Sequence, residues 1–461
     1  MQFSSVVLSH HAFVPRDEVY DIDSLRKELT VAPKYSDDGE EIELFVHNGD
    51  RIGLPMCHFD LAACSDEIID ERVEGDAFTV RFLAEYRNGQ GSLIRSFREG
   101  LEQGATNFML EAPPGFGKTV MMIAMITIVK RRTLVIVPRS TLVKQWIDRM
   151  LEHSTLARDD IGELNGTKRD WVGKKVVVGL VHSVARVKST AFFENFGAVF
   201  FDEVDRSVPP QTFAPVIGML PAKIRVGASA TMERADGMHV IFDKHLRQHS
   251  LKGVGTGMKP AIILHYFTES SGYVADGMPL LMRRGSLLSK LAKNVKRNEQ
   301  ICRYIRLVYA SNRRVVIMSD RTEQLQLLQA KMVESGIPFM ETGLYVNRVC
   351  VQKANGEKKA KYKKVSQQEI DRVASDCRII FATYGMFSIG TDIPDVGGLI
   401  YATPQKDVTQ SKGRIERLFK GKKTPVLVDF VDTHYDDAVN WSHCRHRSYK
   451  KEGLSIKVLG G

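Results

Sequence analysis

At 461 residues the chain is longer than one hydrophobic core usually organises, which predicts two or three domains. Its 43% hydrophobic and 26% charged residues, a longest apolar run (120–129) well short of the roughly 20 residues a bilayer span needs, and six cysteines without a Cys-x-x-Cys pair speak against a membrane protein and a disulfide scaffold. A cytoplasmic protein with reduced thiols is expected, and no basic segment leading into an apolar stretch marks a secretion signal. The net charge of +10 is unevenly placed: residues 1–75 hold 6 Lys/Arg against 17 Asp/Glu, and the remainder holds 59 against 38. A basic body suits a polyanionic partner, because each neutralised phosphate releases condensed counterions. A generally basic soluble enzyme is the alternative reading.

The acidic N-terminal stretch comes first in the chain. Glu41 to Val46 alternates polar and apolar residues between Ser36-Asp37-Asp38-Gly39 and Asn48-Gly49-Asp50, which is strand and turn chemistry. It predicts a small α+β or mostly β accessory domain over 1–75, one that binds protein or offers a few basic contacts. From Phe78 onwards, apolar runs at 108–111, 133–137, 175–181, 198–202 and 224–227 alternate with helical stretches, as strands buried on both faces do. After the joint Val254-Gly255-Thr256-Gly257 the alternation restarts at 314–319, 337–340, 378–383, 399–402 and 426–430. Between the two sets, 287–310 reads as one helix, with Leu288, Leu291, Val295, Ile301, Ile305 and Val308 at apolar positions. The expected class is α/β: two tandem parallel-sheet domains, 76–255 and 256–461, behind the accessory domain.

Residues 344–365 interrupt the second set with Arg348, Lys353, Lys358, Lys359, Lys361, Lys363 and Lys364 against the single acid Glu357. Asn355-Gly356 in their middle predicts a basic β-hairpin, either a nucleic-acid contact or wedge, or a plain solvated insertion. His434, His443, Cys444 and His446 near the C-terminus lack paired-cysteine spacing and read better as members of a basic helix than as a zinc site.

Two segments carry chemistry. Ala112-Pro113-Pro114-Gly115-Phe116-Gly117-Lys118-Thr119 follows a strand-like run and opens a helix. Gly115 and Gly117 let the backbone N–H groups, with Phe116, wrap phosphate oxygens; Lys118 reaches the β- and γ-phosphates, and the Thr119 hydroxyl suits Mg2+. Asp202-Glu203-Val204-Asp205 ends a second buried run, placing Asp202 to hold the metal through water and Glu203 to polarise an attacking water. Acidic pairs also cap ordinary strands; it is the cradle beside this one that points to nucleoside-triphosphate hydrolysis.

In their order and spacing these segments resemble superfamily 2 helicases. Ala112 to Thr119 is similar to motif I of that family, and Asp202-Glu203-Val204-Asp205 to motif II. Val137-Pro138-Arg139-Ser140 with Gln145-Trp146 looks like motif Ia, and Ser229-Ala230-Thr231 like motif III. Ala382-Thr383 through Gly390-Thr391-Asp392-Ile393-Pro394 is similar to motif V, and Gln410 to Arg417 to motif VI. The resemblance, spanning about 86–430, implies ATP bound with Mg2+ in a cleft between two RecA-like domains. It implies Arg414 and Arg417 as arginine fingers (two arginines three apart could also be surface ion-pair partners), and Gln410 at the γ-phosphate. Gly390 and Asp392 would join the nucleotide site, while Ser229 and Thr231 would couple nucleotide state to closure. Gln90 is a weaker match to an adenine-reading glutamine, since Arg87-Asn88-Gly89-Gln90 departs from the family's pattern. Contacts to one nucleic-acid strand would come from Arg139, Ser140, His182, Ser183, Ser319 and Thr383, with Lys358 and Lys361 in the insertion.

Asp-Glu-Val-Asp, and Gln410 where RNA helicases of the Asp-Glu-Ala-Asp type carry histidine, point to the DNA-directed branch. The compact plan resembles the phage UvsW-type helicases, which implies ATP-dependent remodelling of forks, four-way junctions and R-loops in recombination, repair or replication. An RNA or RNA–DNA hybrid helicase is one alternative, and a nucleotide-switched scaffold that recruits partners through the acidic domain is the other.

Overall fold

In the computed structural model, the described residues are 2–33, 41–65, 67–204, 210–230, 236–255, 257–272, 280–351, 361–388, 393 and 395–460. They divide into two compact units, 1–256 and 257–461. Among them no helix is long and apolar enough to cross a membrane.

The first unit opens with a five-stranded sheet of β1 (Val6–Leu8), β2 (Ala12–Pro15), β3 (Val46–Asn48), β4 (Arg51–Leu54) and β5 (Ile68–Asp70), in the order β3-β4-β2-β1-β5. Its apolar face joins the same core as the sheet that follows: Val6, Val14, Ile52 and Leu54 pack in one cluster with Phe213, Leu220 and Leu246. The charge asymmetry has a local role at this junction. Glu28 accepts from Lys244 at 2.6 Å, and Glu74 from Lys223 at 2.6 Å, so acids of the N-terminal piece pair with cations of the basic body.

The larger sheet of the unit contains β6 (Asn107–Glu111), β7 (Thr133–Val137), β8 (Ile161–Asn165), β9 (Lys168–Asp170), β10 (Val176–Leu180), β11 (Ala198–Phe201), β12 (Ile224–Ser229) and β13 (His249–Lys252). Their order is β9-β8-β10-β7-β11-β12-β6-β13, parallel except for the edge pair β8–β9. β7 and β11 are buried along their whole length, which is why they read as unbroken apolar runs. Helices on both faces include α1 (Gln90–Glu102), α2 (Lys118–Val129), α3 (Ser140–His153) and α4 (Val181–Val184).

The second unit repeats the plan with β14 (Ala261–Phe267), β15 (Arg314–Met318), β16 (Thr342–Tyr345), β19 (Ile379–Ala382), β20 (Val396–Tyr401), β21 (Val426–Asp432) and β22 (Ile456–Leu459). The order is β16-β19-β15-β20-β21-β14-β22, all parallel. Between β16 and β19 in the chain, β17 (Arg348–Val351) and β18 (Lys361–Lys364) form a separate antiparallel ribbon, the ladder of the expected hairpin. Its turn, with Asn355-Gly356 and Lys358, lies outside the described residues.

Two expectations need correction. The run 337–340 is not a strand: Pro338 has no N–H to give a ladder, and a 3-10 turn at Phe339–Glu341 leads instead into β16. A Cβ on Gly343 of that strand would sit 2.5 Å from Val373, so close packing of the helix Gln367–Asp376 required the glycine that hid the strand. The predicted helix 287–310 is two, Leu280–Lys293 and Val295–Ala310, split where the Asn294 side chain accepts from Arg297 N and caps the second.

Candidate nucleotide and nucleic-acid sites

The phosphate cradle is the turn from β6 into α2. Gly115 (φ 85°) and Gly117 (φ 92°) both take left-handed backbone, which side chains rarely tolerate. A Cβ on Gly117 would also lie 2.8 Å from Gln90 Nε2. Lys118 and Thr119, half-buried, begin α2, and the Lys118 ammonium donates to Ala112 O at 3.1 Å across the loop. The helix N-terminus adds its positive dipole end at this point.

Backbone bonds bring the acid pair to the same place. Ala112 N donates to Ser229 O at 3.1 Å and Val204 N to Ala228 O at 3.1 Å, so cradle and acid pair flank the end of β12. They leave β6 and β11, each the neighbour of β12, and two strand spacings put them about 10 Å apart. Ser229 is wholly buried between them. Asp202 is buried too, and the indole of the fully buried Trp146 on α3 donates to its Oδ2 at 2.8 Å. Glu203 has φ 54°, a left-handed conformation that costs a non-glycine residue roughly 1–2 kcal/mol. Such strain collects at functional sites when the surroundings enforce it.

Trp146, named from the sequence only as part of the motif Ia resemblance, is brought by the fold against the candidate metal ligand Asp202. Gln90 takes a role other than the expected one: its Nε2 donates to Phe116 O at 2.6 Å and its Oε1 accepts from Arg87 N at 2.8 Å. The buried amide thus ties α1 to the cradle, and adenine reading by it is not what this geometry favours.

Arg139 and Ser140 are exposed at the start of α3, just beyond β7, and His182 is exposed on α4, just beyond the adjacent strand β10. These groups share the carboxyl edge of the sheet with the cradle. Ser183 is half-buried, its hydroxyl accepting from Gly166 N at 3.1 Å.

In the second unit, Thr383 follows β19, half-buried, and its carbonyl accepts from Met386 N and Phe387 N to start α5 (Tyr384–Ser388). Ser319, expected to touch the strand, is wholly buried. Its hydroxyl donates to Gln324 Oε1 at 2.7 Å and accepts from Arg321 N at 3.0 Å, so it shapes the loop after β15 and does not face a ligand. Gln410 and Arg414 lie on α6 (Thr409–Ile415), both half-buried, with Arg417 just past its end. The Arg414 guanidinium sits 5.7 Å from the centroid of Phe387, linking α5 to α6. Beneath α6, Tyr401 bonds Ser411 at 3.2 Å, while the fully buried Arg445 grips Asp429 with two bonds of 2.8 Å. Tyr449 adds a third bond to that carboxylate at 3.1 Å, and burial raises the Tyr401 and Tyr449 phenols well above their usual range. The Tyr401–Ser411 bond ties the helix that carries Gln410 and Arg414 to the strand beneath it. Thr231, Gly390, Asp392, Asp205 and Lys358 lie outside the described residues, and Lys361 is described as backbone only, paired with Val351.

For Mg2+ the donor set fits: a threonine hydroxyl and a carboxylate are hard oxygen ligands, and this ion keeps several waters. Among the described residues no group of three or more His, Cys, Asp or Glu is placed to hold a metal. The ion would therefore share its coordination between Thr119, Asp202 and the nucleotide phosphates.

A family model, type III restriction enzyme res subunit, matches residues 83–234. A protein of Acanthamoeba polyphaga mimivirus, with the provisional name ATP-dependent RNA helicase L396, is 25% identical over 454 residues, covering 95% of this chain and 83% of its own. Among solved structures, a fragment of an HsdR subunit of a type I restriction enzyme from Vibrio vulnificus YJ016 matches at TM-score 0.55 and 12% identity, over 82% of this chain and 69% of that one. UvsW of phage T4 matches over 100% of both chains at 16% identity, with a TM-score of 0.39, too low to argue from. Over residues 83–234 the chain is thus similar to the type III restriction enzyme res-subunit family, along most of its length it is similar to a viral protein named as a helicase, and its two parallel-sheet units have the α/β fold of the solved neighbours.

Proposed function

We propose that this chain is an ATP-dependent superfamily 2 helicase that translocates on DNA and remodels branched substrates such as forks and four-way junctions, with R-loops in its range. The observation that carries the reading is the ribbon β17–β18. Its register sets Arg348 directly opposite Lys364, with Lys363 beside them, all exposed. Like charges in register destabilise a free ribbon, and a phosphate backbone laid against it relieves the repulsion. A ribbon of this kind also has the width to enter a major groove or to wedge paired strands apart. Asp202-Glu203-Val204-Asp205 and Gln410 favour DNA over RNA by their resemblance to the DNA-directed branch of the superfamily.

In this reading Lys118 and the backbone amides of 115–119 hold the β- and γ-phosphates of ATP, while Thr119 and Asp202 hold Mg2+. The bound ion supplies positive charge against the phosphoryl oxygens. Glu203 takes the proton of the attacking water, while Arg414 and Arg417 as arginine fingers, Gln410 at the γ-phosphate, and Gly390 and Asp392 at the nucleotide take the roles that the superfamily resemblance implies. Ser229 and Thr231 pass nucleotide state to the strand-binding edge, where Arg139, Ser140, His182, Ser183 and Thr383 meet phosphate and sugar. Lys358 and Lys361 extend that contact along the ribbon. The acidic N-terminal sheet stiffens the first unit and presents its remaining carboxylates to a protein partner.

The provisional name of the mimivirus relative favours a second reading, an RNA or RNA–DNA hybrid helicase. ATPase stimulation and strand separation, measured on DNA and RNA single strands, duplexes, forks, four-way junctions and R-loops, separate the two readings. Strongest stimulation by RNA, or no preference for branched DNA, would sink the proposal. Glu203→Gln should abolish turnover and spare ATP binding. Removing 348–364 should leave DNA-stimulated ATPase in place while fork unwinding is lost; unwinding at the original rate would refute the wedge.

A further inference from the structure

Strands β15, β19 and β20 begin around a cavity of about 380 Å3. Its walls come from the turn before β15, the approach to β19, the entry to β20 and the loop 419–423. All three strands are parallel, so this amino edge lies a strand length from the edge where Ser319 and Thr383 follow β15 and β19. For the five residues of β15 that is about 16 Å. The cavity is therefore separate from the strand path proposed above.

Its lining is cationic. Arg313 and Arg314 enter from the turn, Arg378 from the start of β19, and Lys420, Lys422 and Lys423 from the loop, against the carboxylates of Asp376 and Asp395. Arg314 pairs with Asp395 at 2.9 Å, and Arg378 reaches Glu341 at 3.6 Å. Other bonds run to neutral oxygens: Arg313 donates to Thr424 O, Lys423 to Ser311 O, and Lys422 to Ile415 O and Arg417 O. Carbonyls orient a cation without cancelling its charge, so the concavity keeps a positive potential. Burial pushes the Lys422 ammonium down to about 8, against the opposing pull of the Asp395 carboxylate.

Beside the cations, Phe419 lines the cavity and leaves 49% of its surface in water. A basic concavity next to an exposed aromatic ring is the arrangement that single strands use, phosphates in the groove and a base on the ring. A volume of this size also accommodates a nucleotide unit.

We infer that this pocket is a second nucleic-acid subsite, taking one or two phosphates of a single strand with a base stacked on Phe419. The inference rests on the strand-binding role proposed above. Its chemistry, phosphate plus base, is shared by a free nucleotide, and the test separates the two sources. The full chain is compared with K420Q/K423Q and with Phe419→Ala by anisotropy of a labelled 12-nucleotide single strand from 0.1 to 1 M salt. Nucleic-acid-free ATPase and the thermal midpoint serve as controls for folding. Losing two phosphate contacts should lower the salt slope by about 1.4 and weaken binding roughly 25-fold at 0.1 M, with both controls unchanged. Phe419→Ala should weaken binding at every salt concentration while leaving the slope alone. Lysine acetylation read by mass spectrometry then compares protection of Lys420 and Lys423 by the oligonucleotide and by AMP. Wild-type slope and affinity in K420Q/K423Q, or protection by AMP at lower concentration than by the strand, overturns the assignment. A wild-type chain that binds no strand at all fails the underlying reading instead.

Discussion

Trp146→Phe removes one hydrogen bond, from the indole to Asp202 Oδ2 at 2.8 Å, inside a site where both partners are buried. A hydrogen bond from a neutral donor to a charged carboxylate is worth about 1.5–3 kcal/mol. Some of that loss falls on folding, together with about 1–2 kcal/mol for the smaller ring in a packed core. The share that falls on the ligand-binding orientation of Asp202 weakens the magnesium complex, with a ceiling of about 10- to 150-fold for the same 1.5–3 kcal/mol. The assay is ATPase activity against free Mg2+ at saturating ATP, alongside a thermal melt. The expected result is a half-saturating Mg2+ concentration raised at least fivefold, with activity recovering at high Mg2+. A midpoint that falls while Mg2+ dependence stays within twofold of wild type would show that Trp146 only fills space, and would refute its role in orienting Asp202.

Three other outcomes follow from single observations. Glu203→Gly relieves the left-handed strain at φ 54° and should stabilise the first unit by about 1 kcal/mol in urea unfolding, while ATP turnover disappears. Arg348→Gln removes the cross-strand repulsion with Lys364; it should leave stability equal or raised by up to about 1 kcal/mol and lower the salt slope of DNA binding by about 0.9. The third concerns pH. Burial and the Arg225 guanidinium push His245 down to about 3, and burial with the neighbouring His245 holds His11 well below the usual histidine range. A histidine whose folded pKa is depressed gives its full stabilisation above pH 6.5, and that contribution is lost as pH falls through 6.5 toward the folded value. At pH 5.5 His245 should cost about 1.4 kcal/mol and His11 should add to that loss, so urea midpoints should fall between pH 7.5 and 5.5. A first unit equally stable at both values would contradict the burial of these rings.

Local signals in the sequence carry the strands and the chemistry. β7 and β11 are unbroken apolar runs because both faces are covered, and the cradle is legible because two glycines must bracket it in a tight turn. Illegible features depend on partners far apart in the chain. Nothing local announces that Trp146 meets Asp202, that the Gln90 amide holds Phe116 O, or that Ser319 turns inward to Gln324. The strand β16 is hidden by a glycine that packing requires, and β13 and β22, edge strands with exposed polar positions, lack the apolar run that marks their neighbours.

The N-terminal piece shows the same division between local and distant causes. Its acidity is visible in the sequence, and a partner outside the chain is the natural reading. Some of that acidity instead meets the chain's own cations, at Lys244 and Lys223. A second tie is Arg225 at the start of β12, whose guanidinium donates to Ser9 O, His10 O and Leu220 O. Arg225 is fully buried, and burial pushes it down to about 10. A cation held by carbonyls is costly to bury, and removing it would take the donor from four carbonyl groups at once, Ala222 O being the fourth. β12 runs from this junction to Ser229, between the cradle and Glu203. Changes in how the N-terminal sheet docks therefore reach the strand that frames the proposed catalytic pair, and loosening it by Arg225→Met should lower ATP turnover even though the substitution lies a full strand length from the proposed phosphate cradle.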